Sequence, residues 1–107
     1  MGMGTDVSEV LPGSVKTVPD IKAKKPKMYR VILHNDDYTS MEFVVSILVS
    51  VFNKPETEAE KIMLDVHNKG KGICGVYTLD IAVTKVRRVH FEAQKEGFPL
   101  RCSYEET

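Results

Sequence analysis

A chain of 107 residues, 42% of them apolar, has room for one small domain with a modest core. Fifteen basic and fifteen acidic residues cancel, so no global field draws nucleic acid, and no zinc-finger, RNP or helix-turn-helix pattern supplies a local one. No apolar run approaches the roughly 20 residues of a membrane-spanning helix.

Residues 1–27 lack apolar periodicity, contain three prolines, and carry five lysines against Asp6, Glu9 and Asp20. Such a segment reads as a disordered arm ahead of a folded domain covering 28–107. Its basic end, Lys22-Ala23-Lys24-Lys25-Pro26-Lys27, is a solvated linker or a handle for a partner. The pattern then changes to Tyr29-Arg30-Val31-Ile32-Leu33, aromatic and β-branched, which reads as a strand. In the polar stretch that follows, Asn35, Asp36 and Asp37 suit a turn, because their short acceptors bond nearby backbone. Thr39-Ser40-Met41-Glu42 has the spacing of a capping box, which places the helix N-cap at Thr39. Over 41–52, Val44, Ile47, Leu48, Val51 and Phe52 recur with helical period as a core stripe. Met41, Val45 and Val49 form a second stripe, which must be covered or left as a binding groove.

Asn53-Lys54-Pro55 ends this helix, and Pro55 fits the first turn of the next, where its missing N–H costs nothing. The second helix runs to about residue 68 with the stripe Ala59, Ile62, Met63, Val66 and His67. Gly70 and Gly72 supply a stop and a turn before the strand Ile73-Cys74-Gly75-Val76-Tyr77. Thr78 caps a third helix with Leu79, Ala82, Val86, Val89 and Ala93 inward; Gly97 ends it, and Leu100-Arg101-Cys102-Ser103-Tyr104 alternates as a last strand. The order is βααβαβ, an α+β domain in which a small three-stranded antiparallel sheet packs with three helices. Cys74 and Cys102 lack CxxC spacing and fall in strands, so both read as buried, reduced thiols. Without a signal-peptide pattern, a reducing cytoplasm is expected.

Three histidines and many carboxylates invite a catalytic reading that their spacing does not support. There is no GxSxG, HExxH or P-loop, and Gly70-x-Gly72-x-x-Gly75 enters a strand where a dinucleotide loop would open a helix. His34, His67, Asp36, Asp37 and a cysteine place no two metal ligands at ligand spacing on one element, so neither metal nor cofactor is expected. A histidine in an apolar stripe, as His67 is, is more often a core residue than a ligand contact; facing the acidic turn would reverse that. Met41 and Met63 either fill core gaps or line a site that accepts several side chains.

The run Met28-Tyr29-Arg30-Val31-Ile32-Leu33-His34-Asn35-Asp36-Asp37-Tyr38-Thr39-Ser40-Met41-Glu42-Phe43-Val44 resembles the ClpS adaptor family. So do Met63-Leu64-Asp65-Val66-His67, Gly72-Ile73-Cys74-Gly75-Val76-Tyr77-Thr78 and Thr84-Lys85-Val86, and the likeness spans about residues 26–104. The resemblance implies a non-enzymatic bacterial adaptor of the N-degron pathway. Such adaptors bind peptides and proteins with Leu, Phe, Tyr or Trp at the N-terminus and deliver them to the ClpA unfoldase, an AAA+ partner, of the ClpAP protease. It implies that Asn35, Asp36 and His67, with Asp37 nearby, surround the substrate's α-amino group. An α-ammonium offers three donors and a positive charge, which such acceptors complement. It implies a side-chain pocket of Leu33, Thr39, Met41, Val44, Met63, Val66 and Leu100, with Met41 excluding β-branched first residues, and an unfoldase surface at Asp80 and Lys85. A monomer with no nucleic-acid or membrane partner is expected. Where the family usually has proline, an apolar residue and glutamate, this chain has Ser40, His34 and Val83; His34 is expected to alter pocket polarity and Val83 to re-tune docking. The alternative is a ribosome-associated or scaffolding domain of related fold, which lacks the Asn35-Asp36 and His67 combination.

Overall fold

The computed structural model describes residues 25–107. The disordered-arm expectation falls on 1–27, of which 1–24 lie outside the described residues; Lys25, Pro26 and Lys27 are exposed and without regular structure. The elements are β1 (Tyr29–His34), α1 (Met41–Ser50), α2 (Glu56–Lys69), β2 (Lys71–Tyr77), α3 (Leu79–Glu96) and β3 (Arg101–Glu106), so the order is βααβαβ as read from the sequence.

The sheet is antiparallel with β1 in the middle, between β2 and β3. The central place suits the one strand apolar on both faces. Val31 and Leu33 are fully buried on the helix side, while Ile32, 4% exposed, lies on the other face between Ile73 and Ser103 in the register. A bulge between Val31 and Ile32 makes Cys74 the extra residue of β2.

Helices α1, α2 and α3 cover the Val31–Leu33 face. All five members of the first α1 stripe, Val44, Ile47, Leu48, Val51 and Phe52, are buried there with Ala59 and Val66 of α2 and Ala82, Val89 and Ala93 of α3. Removing a Leu or Ile of this size from water contributes about 1.5–3 kcal/mol, so the stripe accounts for where α1 sits. Leu79 departs from its expected inward place: as the first residue of α3 it is 43% exposed, while Ala82 one turn on is fully buried.

Several boundaries shift by a turn or less. β2 starts at Lys71, so Gly72, expected in a turn, lies within the strand, and β3 runs over Arg101–Glu106 where 100–104 was expected. α1 ends at Ser50 with Val51 as its cap, and Asn53 takes a left-handed φ of 56°, which asparagine tolerates. Pro55 is the N-cap of α2 instead of its first-turn residue, its extended ψ of 153° preceding the helix.

The joint between α2 and β2 positions everything that follows. Gly70 closes α2 at φ 92°, and its N–H donates to the Val66 carbonyl at 3.0 Å. Its own carbonyl accepts the backbone N–H of Asn35 at 2.9 Å, which ties the turn after β1 to the end of α2. Gly72 lets β2 approach α2 closely: a Cβ there would stand 2.9 Å from Val66 Cγ2 and 3.2 Å from the Ile62 carbonyl.

Candidate functional site

Asp36 organises the turn between β1 and α1. Its Oδ1 accepts the backbone N–H groups of Tyr38 (2.8 Å) and Thr39 (2.7 Å), and its Oδ2 accepts the Thr39 hydroxyl (2.8 Å). Partial burial by itself would raise the Asp36 pKa, but the three bonds from Thr39 and Tyr38 outweigh it and hold the carboxyl below its ordinary range. The group is therefore a carboxylate at neutral pH. This geometry corrects the capping box. Thr39 spends its hydroxyl on Asp36, and Ser40 is the N-cap of α1, its Oγ accepting the Phe43 N–H at 3.1 Å. Glu42 lies in the first turn, where its charge favours the helix N-terminus.

Around this turn lies a cavity of about 280 Å³ lined by Asn35, Asp36, Asp37, Thr39, Met41, Val44, Met63, Val66 and His67. Three elements meet there: the turn, the first turn of α1 and the C-terminal half of α2. The backbone bond from Asn35 to Gly70 brings the acidic turn beside His67, which lies one turn before Gly70. The structure thus places His67 on the exposed surface facing the site, outside the core. Asn35 and Asp37 are exposed, and among the described residues their side chains make no hydrogen bond. The lining combines the acceptors of Asn35, Asp36, Asp37, Thr39 and His67 with the apolar side chains of Met41, Val44, Met63 and Val66. A cationic donor next to a single apolar side chain complements that arrangement, and the volume is at the small end of ligand sites.

Two residues expected in the side-chain pocket are elsewhere. Leu33 and Leu100, at 0% and 4% exposure, belong to the core cluster with Val44 and Val66 and do not line the cavity. The second stripe of α1 is divided: Met41 reaches the cavity, while Val45 and Val49 line a separate groove toward α2. His34 also lies away from the cavity, on the open sheet face, where its Nε2 shares a 2.7 Å hydrogen bond with Ser103 Oγ. Burial first, then the neighbouring Arg101 and Lys71, lower its pKa against a weaker opposing pull from Glu105.

Asp80 and Lys85 are both on α3, outside the cavity, about 140° apart around the helix. Asp80 is exposed in the first turn beside the exposed side chains of Leu79 and Ile81. Lys85 is half-buried: its Nζ donates to the Val51 carbonyl at 2.7 Å and lies 5.7 and 5.3 Å from the Phe52 and Tyr77 ring centres. It clasps the end of α1 to α3, a structural duty that the sequence did not reveal. His90 acts similarly, its Nε2 accepting the Cys102 N–H at 3.0 Å to join α3 to β3. Cys74 and Cys102 are buried free thiols. Burial pushes Cys102 up to about 12, and burial together with the nearby Cys102 raises Cys74 further. Among the described residues no group of three His, Cys, Asp or Glu side chains is placed to hold a metal ion, and no helix is long and apolar enough to cross a membrane.

A small α+β domain with a cavity that sets acceptor side chains beside apolar ones has the chemistry of a binding module. The family model described as ATP-dependent Clp protease adaptor protein ClpS matches residues 24–103. The chain is 54% identical over 102 residues to the ATP-dependent Clp protease adapter protein ClpS of Syntrophus aciditrophicus, covering 95% of each chain. It is 64% identical over 81 residues to that of Nitratidesulfovibrio vulgaris strain DP4, covering 76% of this chain and 78% of the relative. Among solved structures it is similar to Agrobacterium tumefaciens ClpS2 bound to L-phenylalaninamide, with a TM-score of 0.75 and 37% identity over 78% of this chain and 100% of that one. The chain belongs to the ClpS family of Clp protease adaptors, and is an adaptor, not an enzyme. That assignment sets aside the ribosome-associated alternative.

Proposed function

We propose that the protein binds substrates whose free N-terminal residue is Leu, Phe, Tyr or Trp and delivers them to a ClpA-type AAA+ unfoldase. The observation that carries this reading is the 280 Å³ cavity, which joins the acceptors of Asn35, Asp36, Asp37 and His67 to the apolar wall of Met41, Val44, Met63 and Val66. L-phenylalaninamide, the ligand of the related Agrobacterium protein, is an α-ammonium beside an aromatic side chain, which is the ligand chemistry this cavity complements. In this reading the three N–H donors of the α-ammonium bond Asn35, a remaining lone pair of Asp36 and the His67 ring, with the Asp37 carboxylate nearby. Each charge-assisted bond contributes about 1.5–3 kcal/mol. The first side chain packs on the apolar residues, of which Met41, 43% exposed, turns away β-branched residues. Leu33 and Leu100 act through Val44 and Val66, which they hold from within the core.

On the unfoldase side, exposed Asp80 makes the direct contact and Lys85 shapes the surface through its hold on Val51. The folded unit is 28–107, and residues 1–27 engage the unfoldase. The protein works as a monomer in the cytoplasm.

Titration with peptides beginning with free Phe, acetylated Phe and free Ile tests the reading. Binding of the first is expected, with at least about a tenfold loss for acetylated Phe, since one lost charge-assisted bond alone is worth that much, and with weaker binding of Ile, whose β-branch Met41 turns away. Equal affinity for all three would sink it.

A further inference from the structure

We infer that the groove between α1 and α2 is a second subsite, which takes an apolar side chain from the third to fifth residues of the bound peptide and favours basic residues around it. The inference rests on the peptide-binding reading above.

The groove measures about 820 Å³, larger than the first cavity and well inside the range of ligand sites. Its floor is apolar, formed by Val45 and Val49 of α1 with Leu64 of α2, and Val49 and Leu64 remain 40% and 47% exposed. This is the second stripe of α1, which the described residues leave only partly covered. Continuity identifies the occupant. Met41 and Met63 line both the groove and the first cavity, so the two sites share a wall. A chain whose first side chain fills the cavity has only to cross those two thioethers to enter the groove. The groove then follows α1 from Met41 to Ser50, about 14 Å at helical rise, which an extended peptide spans in about four residues. Methionine suits a shared wall, because its flexible thioether adapts to either occupant.

Charge narrows the occupant further. Glu42, Glu56 and Glu60 edge the groove, and among the described residues none of the three is in an ion pair. Among the described residues nothing cationic lines the groove to offset them. A segment carrying lysine or arginine on either side of its apolar residue complements this rim, and an acidic segment is repelled by it.

The test compares Phe-Gly-Gly-Gly-Gly amide with Phe-Gly-Lys-Leu-Lys amide by fluorescence or calorimetric titration at low salt. It also includes Phe-Gly-Glu-Leu-Glu amide and a Val49→Ser, Leu64→Ser double variant. Wild-type protein should bind the lysine–leucine peptide at least about fivefold more tightly than the glycine peptide, and the glutamate peptide no more tightly than the glycine one. In the double variant the gain should vanish while glycine-peptide affinity stays unchanged, which also certifies that the variant is folded. Equal affinity of wild type for the lysine–leucine and glycine peptides, or a gain that survives the double substitution, would overturn the subsite alone. Failure of wild type to bind the glycine peptide at all would overturn the parent reading, and the subsite with it.

Discussion

Replacing Asp36 by asparagine separates the two duties its carboxylate performs. The amide oxygen keeps accepting the Tyr38 and Thr39 N–H groups, and the amide nitrogen can donate to the Thr39 hydroxyl, so the turn persists while the charge is lost. Stability should change little, and affinity for a free-amine Phe peptide should fall at least about tenfold. Unchanged affinity, measured by titration beside a thermal melt, would return Asp36 to turn chemistry alone. His34 offers a second residue-scale prediction. Its folded pKa lies below the usual value near 6.5, so the unfolded chain takes up the proton more readily. Stability from this group is complete above that value and declines as pH falls through it toward the lower folded pKa. His34→Leu, which removes the group, should flatten the fall in melting temperature between about pH 7 and pH 5. Parallel slopes for variant and wild type would show that His34 contributes nothing. The same scale shows why the cap was misplaced in the sequence. Thr39 and Ser40 are both good N-cap residues, and Glu42 stands three after Thr39, but the choice was made by Asp36, which captures the Thr39 hydroxyl and leaves Ser40 to cap. Local pattern cannot rank two hydroxyls that compete for different partners.

Elements were legible where burial repeats with their period, and illegible where partners are distant in sequence. The buried Val44, Ile47 and Leu48 of α1, continued by Val51 and Phe52 just past its end, announce its core face, as Ala82, Val89 and Ala93 do for α3. The bond from Asn35 to Gly70, the clasp of Lys85 on Val51 and the place of Leu33 beneath the site instead of in its wall depend on contacts that no window of sequence contains. For that reason the residues of the turn read as a turn on their own, and the resemblance, not the periodicity, nominated them as a site. The α2–β2 joint gives an element-scale prediction. Gly72→Ala would drive a Cβ against Val66 Cγ2 and the Ile62 carbonyl, so α2 must move off the sheet. Overpacking of this kind costs about 1–3 kcal/mol. Because Val66, Met63 and His67 ride on α2, peptide affinity should fall together with the melting temperature, although residue 72 does not line the cavity. Loss of stability with full affinity would mean that the site does not depend on the seat of α2.

At the scale of the molecule, binding and delivery are assigned to different parts of the chain, so they should be separable. The cavity is built by the β1–α1 turn, α1 and α2, whereas Asp80 stands on the first turn of α3 and lines no part of it. Asp80→Lys is the informative substitution on that surface, since Lys85 also holds Val51 and its loss would weaken the fold itself. The Asp80→Lys protein should bind a Phe-led peptide with wild-type affinity and melt within about 3 °C of wild type. It should lose most of its ability to promote degradation of a Phe-led reporter by the unfoldase–peptidase complex, because a like-charge contact replaces a complementary one. A chain beginning at Lys27 provides the second arm of the same experiment. It retains every residue that lines the cavity, so it should bind peptide normally and fail to deliver. Peptide binding lost in either protein would place part of the site outside the α1–α2 face. Delivery preserved in Asp80→Lys would remove α3 from the unfoldase contact, and delivery preserved in the shortened chain would remove residues 1–26 from it.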